Sequence, residues 1–273
     1  MGEEAKVTLH WLNGSRAQSI LFLLEELEIP YELEIYRRQK NMLAPPELRK
    51  IHPLGKSPAV TITTPGAPEP IVLAESGFIT QYLCDHFPKG KTLVPQRWKD
   101  GQEDKVGGET EEWMRYQYLL HYIEGSFMFT MVMNFILSAG LKGSSVPFFV
   151  RPVTTFIANQ MISMVVAPNM KRHFGMMEQL LETSPDGGSY MCGRTLTGAD
   201  IMLSYPLIAG KDGAFDSIGR WDKGSFKETY PKLHAYIERL AEEPAWKRSV
   251  EKIKQIEGRF SLLPTPGEPS ARI

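Results

Sequence analysis

The sequence predicts an α/β domain followed by an all-helical domain, and three observations carry this prediction. Two apolar segments flank a stretch with helical spacing between residues 7 and 36. Two short apolar runs follow, separated at residues 64–70 by a turn that holds three prolines and a glycine. Beyond residue 98 strand signals nearly vanish, and long segments of helical character take their place.

The first elements form a predicted βαβ unit. Residues 7–12 alternate in character and predict a strand, which a turn at Asn13-Gly14-Ser15 interrupts. Apolar residues then recur at helical spacing over residues 17–27, with the serine of the turn a candidate N-cap. Tyr31–Tyr36 predicts a second strand. The connection between the two strands is about as long as a right-handed parallel crossover requires.

The next elements complete this domain. A short helix opens on a proline at Pro46–Ile51. Ala59–Thr63 and Ile71–Leu73 are predicted to be the antiparallel strands of a hairpin, and a helix covers about Glu75–Phe87. The order β-α-β-α-β-β-α with a mixed sheet is that of a thioredoxin-like domain.

Helices are predicted for most of the remaining chain. Two long ones, at residues 103–139 and 147–182, are joined near residues 140–145. Thr197-Gly198-Ala199-Asp200 is a capping signal ahead of an apolar run. Two shorter helices each open on a proline, at Pro231–Glu242 and Pro244–Ile256.

These elements give the expected domain organisation of the chain. Its segments are the thioredoxin-like domain at 1–88, a linker at 89–98, an all-α helical-bundle domain at 99–258 and an extended or disordered tail at 259–273.

Composition excludes several classes of function. The formal net charge of −1 leaves no basic footprint for nucleic acid. The two cysteines, the acidic polar N-terminus and the absence of an apolar run near 18 residues favour a cytoplasmic protein without a transmembrane segment. Ser126–Leu137 is apolar enough to raise the question of peripheral membrane contact, although a buried core helix is the favoured interpretation.

Two short motifs predict a binding site for a peptide-like ligand. Ser57-Pro58 ends a turn just before a strand, where backbone groups could pair with a ligand's backbone. Glu75-Ser76 lies where a strand stops and a helix starts, and the helix N-terminus favours an anion. The acid could pair an ammonium group while the hydroxyl and N–H bind a carboxylate. Few ligands need both a partner for a peptide backbone and a site for an adjacent ammonium and carboxylate, and glutathione is one of them.

The same residues carry a family resemblance that covers roughly residues 6–255. His10-Trp11-Leu12 leads into Ser15-Arg16, and Ala44-Pro45-Pro46-Glu47-Leu48 precedes the longer blocks at residues 51–58 and 73–79. The chain resembles the cytosolic-type glutathione transferases, closest to the fungal Gtt-type group. The resemblance implies the glutathione transferase fold, a cis bond before Pro58, a two-fold homodimer, and glutathione as co-substrate with no metal.

The resemblance also implies roles for the residues around the two motifs. The backbone of Ser57 would pair with the cysteinyl unit of glutathione, and Glu75 and Ser76 would hold its γ-glutamyl head. Lys56 would neutralise the glycyl carboxylate, or is a solvated loop lysine. His52 would lie at the pocket, or its ring caps the short helix. Leu43 stands where prion-type relatives have a histidine, so Lys56 or the basic loop Arg37–Lys40 would have to replace that contact.

The reaction requires a thiolate, whose formation the loop after the first strand must favour. A thiol has a pKa of about 8.5, and lowering it by about 2 units takes roughly 2.7 kcal/mol. The loop has no tyrosine and no cysteine, and Leu12 occupies the position of the theta-type serine. The candidate catalytic residues are Asn13, Ser15 and, less directly, Arg16, and the Asn-Gly pair resembles the nu-type and prion-type loops. Alternatively, Asn13-Gly14 is only a turn and Ser15 only a cap.

The second substrate is expected between the domains, as a small hydrophobic electrophile or a peroxide. Tyr116, Tyr118 and Tyr122 supply aromatic surface on the first long helix, although core packing or dimer contacts would use the same residues. Two other functions remain open at this point. One is a glutathione-binding regulatory or sensor protein with little turnover, and the other is a purely structural transferase-like domain.

Overall fold

The computed structural model describes residues 5–143, 146–211, 215 and 218–263 of the 273-residue chain. Its strands are β1 (Lys6–Leu12), β2 (Tyr31–Tyr36), β3 (Ala59–Thr63) and β4 (Ile71–Ala74). Its α-helices are α1 (Ala17–Leu27), α2 (Ser76–His86), α3 (Glu111–Gly140), α4 (residues 151–182), α5 (Gly198–Lys211), α6 (Phe226–Thr229), α7 (Pro231–Glu242) and α8 (Pro244–Glu257). Short 3₁₀ helices occupy Pro46–Lys50, Pro88–Leu93 and Pro185–Gly187.

The four strands form one mixed sheet in the order β2-β1-β3-β4. β1 and β2 are parallel, whereas β1 with β3 and β3 with β4 are antiparallel. The predicted β-α-β-α-β-β-α order is confirmed, with the five-residue 3₁₀ helix Pro46–Lys50 as its second helical element. The fold class predicted from the sequence, an α/β thioredoxin-like domain with an all-helical remainder, is therefore the one observed.

The described residues fall into two compact units. The first lies within residues 1–96, 196–205 and 240–273 and holds the sheet; the second lies within 97–195 and 206–239. Helix α8, expected from the sequence to belong to the helical domain, packs in the first unit. There Phe22 of α1 meets Trp246 of α8 edge to face, with ring centroids 5.8 Å apart.

A buried chain of hydrogen bonds fixes α1 in the first unit. The indole of Trp11 donates to Gln18 Oε1 at 3.1 Å, and Gln18 Nε2 donates to the Ser249 hydroxyl at 2.9 Å. Ser249 in turn donates to the carbonyl of Trp246 at 2.7 Å. Because both ends of the Gln18 amide are satisfied, the end of β1 and the first turn of α1 are held in one arrangement. The loop between them therefore rests on a rigid support.

The second unit has an aromatic centre. The ring of Phe174 on α4 is 4.6 Å from that of Phe215 and 5.0 Å from that of Phe226, in edge-to-face arrangements. Glu178, one turn further along α4, accepts from the backbone N–H groups of Lys232 and Leu233 at the start of α7. This carboxylate satisfies two of the N–H groups that a helix N-terminus otherwise leaves unpaired.

The long helices differ from their prediction in two respects. α3 begins at Glu111 rather than at 103, because residues 99–108 form turns and Thr110 accepts from the N–H of Trp113 as N-cap. Both α3 and α4 also contain π-helical turns: Ile123–Phe127, Ile136–Gly140 and Ile162–Val166. The turn in α4 directly precedes the turn with Pro168, whose missing N–H disrupts the regular ladder there. Residues 264–273 of the predicted tail lie outside the described residues.

Helix α3 is more exposed than the sequence suggested. Glu111–Gly140 is the one helix among the described residues that is long and apolar enough, by length and composition, to cross a membrane. Only 28% of its most apolar window is buried. The interpretation of Ser126–Leu137 as a buried core helix is therefore wrong, since Phe129 is 64% and Ile136 57% exposed.

Candidate active site

The register of the sheet brings three loops to one edge. His10 pairs with Ala59, and Ala59 pairs with Ala74. The loop after β1, the turn before β3 and the segment after β4 therefore leave the sheet side by side. These three segments hold the candidate catalytic residues, Ser57-Pro58 and Glu75-Ser76 respectively.

The turn before β3 contains a cis peptide bond between Ser57 and Pro58, as the resemblance implies. The hydroxyl of Ser57 is buried and donates to the carbonyl of His10 at 2.9 Å. Among the described residues, no backbone hydrogen bond uses the N–H or C=O of Ser57. The side chain thus anchors the turn to β1, and the backbone is the part that can pair with a ligand.

The start of α2 offers backbone donors beside an acid. Ser76 is buried, Glu75 is exposed, and the side chain of Glu75 makes no capping hydrogen bond. Glu75 has φ of 71°, a conformation that costs a non-glycine residue of order 1–3 kcal/mol and persists mainly at functional sites. The N–H groups of the first turn and the Ser76 hydroxyl can bind a carboxylate, while the acid can pair an ammonium group.

The loop after β1 is held by Arg38, a residue that the sequence did not single out. The backbone N–H of Arg38 donates to Asn13 Oδ1 at 2.7 Å. Its guanidinium donates to the carbonyls of Asn13 (3.1 Å), Gly14 (3.0 Å) and Met42 (3.0 Å). Burial lowers the pKa of Arg38, an effect that Tyr205 opposes and Arg16 adds to. One half-buried cation therefore organises the whole turn.

These contacts settle the orientation of the Asn13 amide. A backbone N–H can only donate, so the atom facing Arg38 must be the amide oxygen. The other end of the amide is consequently the donor Nδ2. An Asn13 side chain in this orientation can offer an N–H to an anion, which is the property that thiolate stabilisation needs.

Ser15 has a different arrangement. Its buried hydroxyl donates to the carbonyl of Leu12 at 2.7 Å and accepts from the N–H of Ala17 at 3.2 Å. A hydroxyl has a single proton, and here it is committed to a backbone carbonyl. The geometry favours the structural role of Ser15, at the start of α1, over donation from its side chain.

Arg16 is the remaining candidate in this loop, and it lies in an electropositive setting. It acts electrostatically on Arg38 and on buried Tyr205. Burial raises the pKa of Tyr205 to about 12, although Arg38 and Arg16 both lower it. The Tyr205 hydroxyl donates to the carbonyl of Leu262 at 3.2 Å. Tyr205 is thus a neutral neighbour of the two arginines.

The residues expected at the glycyl end of a peptide ligand occupy the surface. Lys56 is exposed, and the His52 ring accepts from the N–H of Leu54 at 3.4 Å within its own turn. Within the loop Arg37–Lys40, Arg37 pairs with Glu257 at 2.6 Å and Arg38 holds the turn described above. Lys40 and Lys56 are therefore the cations of this region that remain for a carboxylate.

The three tyrosines of α3 separate into distinct environments. Tyr116 is 1% exposed and packs in the helical interior, so the expectation that it lines a ligand surface is wrong. Tyr118, half exposed, and Tyr122 line an open groove of about 440 Å³ with Met114, Gln117, His121 and Ser126. All of the residues that line this groove belong to the second unit.

The Tyr122 hydroxyl is engaged in a directed chain of hydrogen bonds. It lies 2.7 Å from His173 Nδ1, and Thr130 Oγ1 lies 3.2 Å from His173 Nε2. Thr130 donates to the carbonyl of Ser126, so its oxygen accepts from Nε2–H and Nδ1 accepts from Tyr122. Burial lowers the pKa of His173 and raises that of Tyr122, which agrees with this neutral arrangement. Tyr122 contributes its ring to the groove rather than an acidic hydroxyl.

The described residues contain no group of three or more His, Cys, Asp and Glu side chains that could hold a metal ion. Cys84 and Cys192 are both buried. Burial, with a smaller effect of Asp85, raises the pKa of Cys84 to about 12, so this thiol is not a nucleophile at neutral pH.

Comparisons with known proteins agree on one family. Models of the glutathione S-transferase N-terminal and C-terminal domains match residues 14–86 and 154–252. Glutathione S-transferase 1 of Saccharomyces cerevisiae is 32% identical over 254 residues, which are 93% of this chain and 98% of that protein. A glutathione S-transferase from Actinobacillus pleuropneumoniae is 27% identical with a TM-score of 0.62, over 94% of each chain. A Phanerochaete chrysosporium glutathione transferase, solved with oxidized glutathione, shares the fold at 17% identity and a TM-score of 0.62, over 95% of this chain and all of that one.

Proposed function

The chain belongs to the glutathione S-transferase family, and on that premise we propose that it activates the thiol of glutathione for attack on small hydrophobic electrophiles. The observation that carries this proposal is the shared sheet edge of the cis Ser57-Pro58 turn and the α2 N-terminus. A thiolate generated beside them attacks the electrophilic carbon, and the leaving group departs with the bonding electrons. Reduction of a peroxide by the same thiolate is a second reaction that this site would perform.

Glutathione would bind as an additional strand along the turn before β3. The backbone N–H and C=O of Ser57 would pair with the cysteinyl unit, which leaves the thiol directed toward the loop after β1. The γ-glutamyl carboxylate would accept from Ser76 at the start of α2, and Glu75 would pair with the adjacent ammonium. Lys56 or Lys40 would neutralise the glycyl carboxylate, with Pro58 and His52 shaping the turn.

The thiolate would be stabilised first by Asn13. Its amide oxygen is occupied by the N–H of Arg38, which leaves Nδ2 as the donating end. The backbone N–H groups of Gly14 and Ser15 supply further donors at the start of α1, and Arg16 adds positive potential. The Ser15 hydroxyl is the weaker candidate, because its proton already goes to Leu12.

The electrophile would bind against apolar and aromatic surface of the helical part. Tyr118 and Tyr122 line the groove on α3, and exposed Met114 adds an adaptable thioether. A second copy of the chain is the expected macromolecular partner, in a two-fold homodimer. The division into a glutathione-binding domain (1–88) and a helical domain (99–258), with cytoplasmic localisation, completes the proposal.

One pair of measurements tests this function. The protein should be retained on immobilised glutathione and should conjugate glutathione to a generic aromatic halide. Retention without conjugation would support the regulatory alternative, which the transferase names of the relatives do not favour. Failure of retention would exclude both functions and leave the structural one.

The Asn13→Ala variant should raise the pKa of bound glutathione by roughly 1–2 units, since a hydrogen bond to a charged group contributes about 1.5–3 kcal/mol. The thiolate is the form that the amide stabilises, so the variant loses activity at neutral pH and recovers it as the pH rises. Titration of the thiolate's ultraviolet absorbance in the binary complex measures the shift. Ser15→Ala is the matched control, with a smaller shift. A large shift for Ser15→Ala with none for Asn13→Ala would reverse the assignment.

A further inference from the structure

His10 is a buried polar residue on β1 to which the proposed reaction assigns no role. Side chains alternate along a strand, and Val7, Leu9 and Trp11 fill the buried face of β1. His10 projects from the opposite face, on which Lys6 is exposed. At 3% exposure, however, His10 is as buried as the apolar core. An imidazole removed from water in this way needs partners for both of its ring nitrogens.

These partners come from the two strands that flank β1. Nδ1 of His10 lies 3.0 Å from Glu34 Oε2 on β2, and Nε2 lies 3.1 Å from Thr61 Oγ1 on β3. An ionised carboxylate can only accept, so Nδ1 carries the proton, and in the neutral ring Nε2 then accepts from the Thr61 hydroxyl. The hydroxyl of Tyr36 donates to the same carboxylate at 2.7 Å. One side chain therefore joins three neighbouring strands of the sheet.

The backbone of His10 belongs to the candidate glutathione site. Its carbonyl accepts from the Ser57 hydroxyl at 2.9 Å, which is the contact that anchors the cis turn to β1. His10 also pairs with Ala59, the first residue of β3 beyond that turn. One hydrogen bond thus separates His10 from the residue whose backbone would pair with glutathione. A displacement of His10 would therefore move the turn.

The neutral form of the imidazole is the one that fits this arrangement. Burial lowers the pKa of His10 below its usual value of 6.5, and the charge and hydrogen bond of Glu34 oppose that effect. Burial raises the pKa of Tyr36, with further contributions from Glu34 and from Glu47 in the 3₁₀ helix Pro46–Lys50, so its hydroxyl remains a donor. The neutral ring of His10 consequently predominates at neutral pH, and the charged ring forms only as the pH falls below the usual range.

Protonation of His10 changes its contacts as well as its charge. The second proton resides on Nε2, so the Thr61 hydroxyl has to rotate and its own proton loses the acceptor that the neutral ring provides. The imidazolium is also held away from water, with Glu34 as its one adjacent carboxylate among the described contacts. Acid therefore weakens the support of β1 at the point where β1 holds the Ser57 turn.

We infer that His10 is a positioning residue for glutathione: its neutral imidazole holds β1 to β2 and β3, so that the Ser57 turn presents its backbone to the cysteinyl unit, and protonation of the ring weakens binding. This role depends on the proposed function, because it requires glutathione to pair with Ser57. It concerns binding, whereas Arg38 holds the loop that faces the thiol. A loss at His10 should therefore raise KM for glutathione and leave kcat and the pKa of the bound thiol unchanged.

Calorimetric titration with S-methylglutathione, whose sulfur carries no titratable proton, tests this role. The parent protein should bind it at least about threefold more weakly at about pH 5 than at about pH 7.5. His10→Asn retains a donor toward Glu34 but cannot become charged, so its affinity should not depend on pH in this range. His52→Asn removes the histidine at the glycyl end and should keep the acid dependence. His10→Leu removes both side-chain links and should bind about tenfold more weakly at neutral pH, the scale of one hydrogen bond.

A second measurement, nuclear magnetic resonance of the His10 ring, uses the parent protein itself. Binding and protonation are reciprocal, so a threefold weaker affinity of the charged form means that S-methylglutathione lowers the pKa of His10 by about half a unit. Glu34→Gln should lower the pKa of His10 in the free protein, because the carboxylate favours the charged ring. Glu32→Gln is the matched control on the same strand, since Glu32 pairs with Lys6 at 2.7 Å in an exposed position, and it should change that pKa little. Circular dichroism establishes that each variant is folded.

Three outcomes would contradict this role, and they can be distinguished. Equal affinity of the parent protein at both pH values, with a pKa of His10 that the ligand leaves unchanged, would overturn the role of His10 and leave the transferase function intact. An acid dependence that His52→Asn abolishes would assign the titration to His52 instead. A parent protein that binds no S-methylglutathione at either pH would overturn the proposed glutathione site, and the role of His10 with it.

Discussion

Replacing Arg38 by alanine should reduce kcat/KM for glutathione conjugation about 100-fold, the scale expected when a reacting group is misplaced by about 1 Å. Arg38 touches neither substrate in the proposed pose. It acts by holding the carbonyls of Asn13 and Gly14 and by fixing Met42 on the other side of the turn. Three carbonyls lose their charged donor in the variant, so the loop relaxes and its N–H groups no longer converge on the sulfur. Steady-state kinetics with the thiolate titration described above measures the effect.

The loss should come mainly from the chemical step rather than from binding. The Ser57 turn and the start of α2 do not depend on Arg38, so KM for glutathione should change little while kcat falls and the pKa of bound glutathione rises. Arg38→Lys should not restore activity, because one ammonium cannot donate in the directions of a planar guanidinium. Arg37→Ala is the matched control, since Arg37 pairs with Glu257 and makes no described contact with the loop.

A double variant identifies the route by which Arg38 acts. If Arg38 works through the Asn13 amide, the losses of Arg38→Ala and Asn13→Ala should be clearly less than additive in free energy. Full additivity, or an Arg38→Ala enzyme with unchanged thiolate pKa, would assign Arg38 to stability alone.

The difference between the contacts expected from the sequence and those in the structure follows from sequence distance. Ser57-Pro58 and Glu75-Ser76 could be recognised because each is a local signal, a turn or a helix start, whose residues are adjacent in the chain. Arg38, by contrast, makes its hydrogen bonds with Asn13 and Gly14, which precede it by 25 and 24 residues in the chain. The sequence indicated only a basic loop, in which the three basic residues Arg37, Arg38 and Lys40 were equivalent. Which of them turns inward is decided by the parallel pairing of β1 with β2, whose ends lie together at Leu12 and Tyr36.

The helical part was less predictable for a related reason. Helical periodicity does not distinguish a stripe that faces the core from one that faces outward, so Ser126–Leu137 was assigned to the interior although Phe129 is exposed. The same ambiguity affects Tyr116 and Tyr118, which are two positions apart and face in different directions. The π turns at Ile123–Phe127 and Ile136–Gly140 each add a residue to one helical turn. The side chains that follow such a turn therefore face a different direction from the one that a regular 3.6-residue period predicts.

Replacing Asp200 by alanine should destabilise the protein by about 3–5 kcal/mol, a large part of the 5–15 kcal/mol that holds most native proteins folded. Asp200 is fully buried, and its Oδ2 accepts from both the N–H and the hydroxyl of Thr197, at 2.9 and 2.6 Å. Alanine leaves two buried donors unpaired and opens a small void at the first turn of α5. Urea unfolding measures the loss: the midpoint should fall, while the slope of the unfolding free energy against urea concentration stays unchanged.

The chain contains its own control for this prediction, because the same capping chemistry recurs in an exposed setting. Glu228 at α6 accepts from the N–H and hydroxyl of Ser225, at 3.1 and 3.0 Å, and Ser225 accepts from the N–H of Glu228. Water can replace the lost acceptor there, so Glu228→Ala should cost about 1 kcal/mol or less. The difference between the two variants isolates the cost of leaving donors unpaired in the interior. Equal losses would show that the motif contributes only its intrinsic capping energy, and that burial of Asp200 adds nothing to stability.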